Sequence, residues 1–138
     1  MRSHRGDRFD VPAPVRFLED CLISGILQDL ISSVGGAQAA IFLDGEGEFI
    51  AQAGNVSVDV KLVGAWKELQ LDRIKEAAGR LGLGDVRAVL YSHDEGNELV
   101  VPVAKEYCLL LFLSAYADLR EALARLKDTI ERLKKDIE

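Results

Sequence analysis

Cysteine is scarce in this chain. Two cysteines in 138 residues cannot supply the dense disulfide framework that small secreted domains use, and Cys21 and Cys108 both sit in apolar runs, CLISGIL and YCLLLFL, where free cysteine behaves as a small hydrophobe. Three prolines and 12 glycines are too few for a collagen-like or low-complexity chain. No apolar run approaches the roughly 20 residues that span a bilayer, and the N-terminal stretch MRSHRGDRFDVPAP lacks the apolar centre of a signal peptide. A cytoplasmic location without membrane insertion is expected. On that expectation the Arg5-Gly6-Asp7 tripeptide and the Asn55-Val56-Ser57 acceptor carry no weight, since both need an extracellular setting. Basic charge is in deficit too: 17 Lys+Arg face 23 Asp+Glu, a formal charge of -6. This argues against a nucleic-acid binder, whose affinity needs a cationic surface to displace counterions.

Catalytic signatures are missing as well. There is no G-x-S-x-G, H-E-x-x-H or C-x-x-C, and His4 and His93 have no local partners in sequence. Gly79, Gly82 and Gly84 follow a helical segment instead of opening one, so they build no phosphate-binding turn. Neither a catalytic residue nor a cofactor or metal is expected. The acidic turns Asp44 to Glu48 and Asp94 to Glu98 lack the ligand spacing and closing glutamate of an EF-hand loop, and they read as solvated hairpin turns.

What is present is a folded domain: 49% of the residues are hydrophobic and 29% charged, in a length suited to one core. Residues 1–14 read as a polar arm ending in Pro12 and Pro14, and 15–138 as the domain. From Val15 to Val34, Leu18, Leu22, Ile26 and Leu30 recur at helical spacing, broadened by Ile23, Leu27 and Ile31, until Gly35-Gly36 stops the helix. Ala37 to Asp44 and Glu48 to Ala53 read as a hairpin around Asp44-Gly45-Glu46-Gly47. A second helix is expected over about 59–81 through Val63, Trp66, Ile74, Ala77 and Leu81, with Asp59 as its cap and a bend allowed at Glu68 to Asp72. Three strands follow, Val86 to His93, Glu98 to Val103 and Tyr107 to Ser114, joined by links so short that neighbours must be antiparallel. The last two are almost continuously apolar, which predicts cover on both faces, while Pro102 predicts a strand end or bulge nearby. A final helix over about 116–137 carries a narrow seam of Tyr116, Leu119, Leu123, Leu126, Ile130, Leu133 and Ile137. At about 33 Å it exceeds strands of about 23 Å and should overhang its sheet by one to two turns.

In this order of elements the chain resembles the Roadblock family, in particular its bacterial MglB-like branch. The likeness rests on the small-residue run Gly36-Ala37-Gln38-Ala39-Ala40-Ile41-Phe42-Leu43-Asp44-Gly45, on Ala53-Gly54 closing the hairpin, and on the helix ending Leu81-Gly82. Leu99-Val100-Val101-Pro102-Val103 and Tyr107-Cys108-Leu109-Leu110-Leu111 complete it, and it covers roughly 18–128. The resemblance implies an α+β fold: a five-stranded antiparallel sheet in the order α-β-β-α-β-β-β-α, with the middle helix on one face and the outer helices on the other. It also implies a homodimer built from the middle helix and third strand, and a regulator or scaffold for a Ras-like small GTPase. Proteins of this branch reshape the switch loops of the GTPase without an arginine finger, so Arg73, Arg80 and Arg87 are not assigned a catalytic role. The arm and the long last helix exceed the family core.

Candidate interface residues follow. Trp66 suits an interface as well as a core, and Gly64 and Ala65 beside it permit close helix approach. Arg87, Val89, Tyr91 and His93 share one side of the third strand, with Val86, Ala88, Leu90 and Ser92 on the other; an edge that long needs a partner strand or cover. In the last helix, either the segment beyond Leu126 is a solvated tail, or Ile130, Leu133 and Ile137 dock on a partner helix, from residues 18–30 of the first helix or from a second protomer. The expected function is a homodimeric GTPase regulator that is not itself an enzyme. The alternatives are a structural adaptor without effect on GTP turnover, or a small-molecule sensor, against which the low polarity of the strands argues.

Overall fold

The computed structural model describes the backbone of residues 13–55 and 60–137, with the side chains of 22–55 and 69–137. Eight elements follow one another: α1 (Ala13–Ser33), β1 (Ala37–Leu43), β2 (Phe49–Gly54), α2 (Val60–Arg80), β3 (Val89–His93), β4 (Gly96–Val103), β5 (Tyr107–Leu113) and α3 (Leu119–Ile137). The five strands form one antiparallel sheet in the order β2-β1-β5-β4-β3. The expected α+β architecture is the observed one. Residues 1–12 of the arm and the Asp59 cap lie outside the described residues. Pro14 falls in the first turn of α1, where its missing N–H would have had no helical partner anyway.

Strand pleating divides the core in two. Ala40, Phe42, Leu99, Val101, Leu109 and Leu111 face α1 and α3, in one cluster with Ile23, Ile26, Leu27 and Leu30 of α1 and Leu126 and Leu133 of α3. Their alternates Ile41, Leu43, Val100, Cys108 and Leu110 face the other way, toward Leu71 of α2. This is why β4 and β5 read as continuous apolar runs: each face meets a helix layer. Each fully buried leucine or isoleucine stabilises by about 1.5–3 kcal/mol, and among the described residues most of them lie on the α1/α3 side.

Several boundaries depart from the sequence reading. The buried face of α1 runs through Ile23, Ile26, Leu27 and Leu30, while Leu22 is 60% exposed. β3 starts at Val89 instead of Val86, so Arg87 precedes the strand. Pro102, by contrast, sits one residue before the end of β4 at Val103, the nearby strand end it predicts, and no bulge accompanies it, its pairing with Cys108 lying in unbroken register; the irregularities fall at Phe42/Leu43 and Ala37/Ala39. Pro102 is tolerated because the ladder from β4 to β3 has already ended at Val89↔Val100, leaving no strand on that side to receive an N–H. α2 is one continuous helix through Glu68 to Asp72.

α3 begins at Leu119, and Tyr116 is 97% exposed in the preceding loop instead of joining the seam. The start is set by Asp118, whose Oδ1 accepts from the backbone N–H of Arg120 at 3.0 Å and of Glu121 at 3.3 Å, an N-cap that the apolar periodicity did not reveal. The buried line of the helix is Ala122, Leu126, Thr129 and Leu133, which turns Leu123 outward to 48% exposure. Buried Thr129 satisfies its hydroxyl by donating to the carbonyl of Arg125 at 3.1 Å. α3 lies antiparallel along α1: the N–H of Gly35 donates to Glu121 Oε1 at 3.3 Å, and Arg132 reaches Asp29 at 3.2 Å. Leu133 is fully buried, and Ile130 and Ile137 pack on the same cluster, so the last turns rest on the body of the chain instead of overhanging freely.

Glycine is required at two of the family-like positions. Gly36 has φ +86°, and a Cβ there would lie 2.8 Å from Ser114 Oγ and 2.9 Å from the Ala117 Cβ; its carbonyl accepts from the Ser114 N–H at 2.8 Å. Gly54, at φ +84°, passes so close to β1 that a Cβ would strike the Gln38 carbonyl oxygen.

Candidate functional site

Among the described residues, α2 and β3, the elements singled out for self-association, bury the smallest share of their side chains. β3 forms one edge of the sheet and pairs with β4 alone. In α2, Leu71 is the one fully buried side chain between 69 and 80, whereas Leu69 is 56% exposed and Ala77 is also exposed. The helix end is closed by Leu83 N–H to the Ala78 carbonyl at 2.9 Å and Gly82 N–H to the Gly79 carbonyl at 3.1 Å. This is the bond pair of a Schellman motif, which ordinarily brings an apolar contact from the residue in the place of Leu83. Leu83 is instead 72% exposed, and Leu81, expected in the core stripe, is 73% exposed. Leu90 of β3 is 46% exposed, because α1 and α3 do not reach across to it.

Four of the seven large exposed hydrophobics among the described residues therefore belong to α2, β3 and the link between them. Of the residues named from sequence, Val89 and Tyr91 are half-buried and pack toward the α2 layer, together with Val86. Arg87 is exposed on the link. Gly64, Ala65 and Trp66 occur in α2, but their side chains lie outside the described residues. Sequence reasoning missed Leu69, Leu83 and Leu90. The signal for Leu83 was present, since a leucine between Gly82 and Gly84 has no periodic apolar neighbours.

The electrostatics of this surface are mild. His93 Nε2 lies 3.3 Å from Glu98 Oε2 at the tip of the β3–β4 hairpin. Burial, then the negative charge of Glu98 and the neighbouring Cys108, raise the Tyr91 phenol above the ordinary tyrosine value. The acidic turn at Asp44 is structural: its Oδ1 accepts from the N–H of Glu46 at 2.9 Å and of Glu48 at 3.0 Å, an Asx turn that closes the hairpin. Among the described residues no group of three or more His, Cys, Asp or Glu is placed to hold a metal ion, and no helix is long and apolar enough to cross a membrane.

No protein-family model and no curated protein sequence matches the chain. Solved structures do. The Roadblock/LC7 domain from Streptomyces avermitilis superposes with a TM-score of 0.76 at 18% identity, covering 83% of this chain and 96% of that one. Myxococcus xanthus MglB gives 0.77 at 16% identity over 83% of this chain and 93% of that one. An MglB with tetrameric arrangement gives 0.77 at 15% identity, covering 86% and 89%. The chain has the Roadblock fold in its MglB-like form.

Proposed function

We propose that this chain is a self-associating, non-catalytic regulator or scaffold that pairs through α2 and β3 and binds a Ras-like small GTPase. The observation that carries the self-association is the exposure of Leu69, Leu81, Leu83 and Leu90 around a sheet edge and a helix whose described half, 69–80, fully buries Leu71 alone. Exposed apolar patches on small soluble domains mark interaction sites, and an unpaired edge strand is a template for a second strand. The MglB-like fold supports the GTPase as partner. Because transfer of the γ-phosphoryl group is accelerated mainly by positioning and electrostatics, a partner that reshapes the switch loops can act without donating a side chain.

Sedimentation equilibrium tests the first half: the chain is expected as a dimer, and Leu69→Glu with Leu90→Lys as a folded monomer. A wild-type monomer at all concentrations would refute it. GTP turnover by the cognate Ras-like GTPase, measured with and without the chain, tests the second. Acceleration is expected; stable binding without acceleration assigns a pure adaptor, and no binding removes the GTPase from the proposal.

A further inference from the structure

Where β3 stops short, the molecule is open. The ladder ends at Val89↔Val100, and Val101, Pro102 and Val103 have no strand beside them on that side. A groove of about 1050 Å³ occupies the gap, running from α2 past residues 85–88 and the β4–β5 turn to α3. Its floor is apolar, with Val101, Pro102, Leu123, Leu126 and Ile130 among its lining residues, and it includes the outward-turned Leu123. Its rim is cationic: among the described residues Lys75, Arg87, Lys105, Lys127 and Lys134 line it against the single carboxylate of Asp85. All five cations are exposed, and none makes an ion pair among the described residues. On a chain of net charge -6, this is a local inversion of sign.

We propose that this groove receives an acidic, leucine-bearing segment of a protein partner, docked along the uncovered end of β4. Charge complementarity selects an acidic occupant. The cations are spread over α2, the 85–88 link, the β4–β5 turn and α3, which fits carboxylates distributed along a peptide and not the single head group of a fatty acid. The Pro102 carbonyl on that free edge adds an acceptor that a peptide N–H can meet and a lipid chain cannot. The arm of this same chain is the wrong occupant by charge, since residues 1–12 hold Arg2, Arg5 and Arg8 against Asp7 and Asp10. The inference is independent of the GTPase reading.

Fluorescence anisotropy of a labelled peptide of alternating leucine and glutamate, titrated with the full chain, tests it. Saturable binding is expected, with no binding of the leucine-lysine counterpart. The double variant Lys127→Glu, Lys134→Glu, both exposed on α3 and shown folded by circular dichroism, should weaken binding at least about tenfold. Leu123→Gln should weaken it as well, through the floor. Equal binding of the lysine peptide, or undiminished binding to the double variant, overturns the proposal. So does saturation of the groove by laurate or by phosphatidylserine vesicles in place of the peptide, by a peptide of residues 1–12, or by a second copy of the chain, read as a change in sedimented mass on charge reversal.

Discussion

Single residues set the ends of elements here, and their removal has calculable consequences. Asp118 holds two N–H groups at the start of α3, so Asp118→Ala should lower stability by about 1 kcal/mol in urea denaturation. Ala104, in the β4–β5 turn, has φ +55° without being glycine; Ala104→Gly should raise stability by about 0.5–1 kcal/mol, measured the same way, because the left-handed conformation costs a Cβ-bearing residue about 1–2 kcal/mol. Tyr91 bears on pH. Its folded value lies above its unfolded one, so the folded state holds the proton more tightly, and its contribution is complete below pH about 10. It is lost as the pH climbs through the raised folded value. Tyr91→Phe should flatten that alkaline loss in thermal melts at stepped pH. These local features were unevenly legible. The glycines at 36 and 54 could be read from sequence because turn chemistry is local, whereas Asp118 was hidden by an apolar spacing that ran on to Tyr116.

Among the elements, α3 shows how far periodicity reaches. The seam of alternating three and four spacings correctly indicated a helix with one apolar stripe, but it did not say which neighbouring line faces inward. The inward line runs through Ala122 and Thr129, which are buried but do not stand out in a hydrophobic pattern. Leu133→Ala should therefore cost about 2–5 kcal/mol, and Leu123→Ala well under 1 kcal/mol, a contrast that thermal or chemical denaturation of the two variants would measure. β3 taught the opposite lesson. Alternation from Val86 to His93 looked regular, yet the chain joins the ladder only at Val89, with residues 85–88 lining the groove beside the end of β4. That shortening moved Arg87 off the strand and opened the groove beside Pro102, neither of which a one-dimensional pattern encodes.

Across the whole molecule, the β1–β2 hairpin and the β3–β4–β5 meander were legible because short connections join antiparallel neighbours; the pairing of β1 with β5, which sets the order β2-β1-β5-β4-β3, was not, and the division of helices between the faces was expected from the family resemblance alone. The interaction surfaces were less so, since a leucine that meets a partner and a leucine that meets the core look alike in sequence. The asymmetry between the faces has a dynamic consequence. One side is a cluster spanning α1, α3 and all the central strands, whereas α2 is anchored in its described half by Leu71 alone. Opening free energies follow buried contact, so amide hydrogen exchange should release α2 and β3 well before β1, β5 and α3. Any partner that covers α2 would then register first as slowed exchange there, with the far side of the sheet unchanged. Such a pattern would identify the α1/α3 side of the sheet as the half that keeps the fold in the absence of a partner.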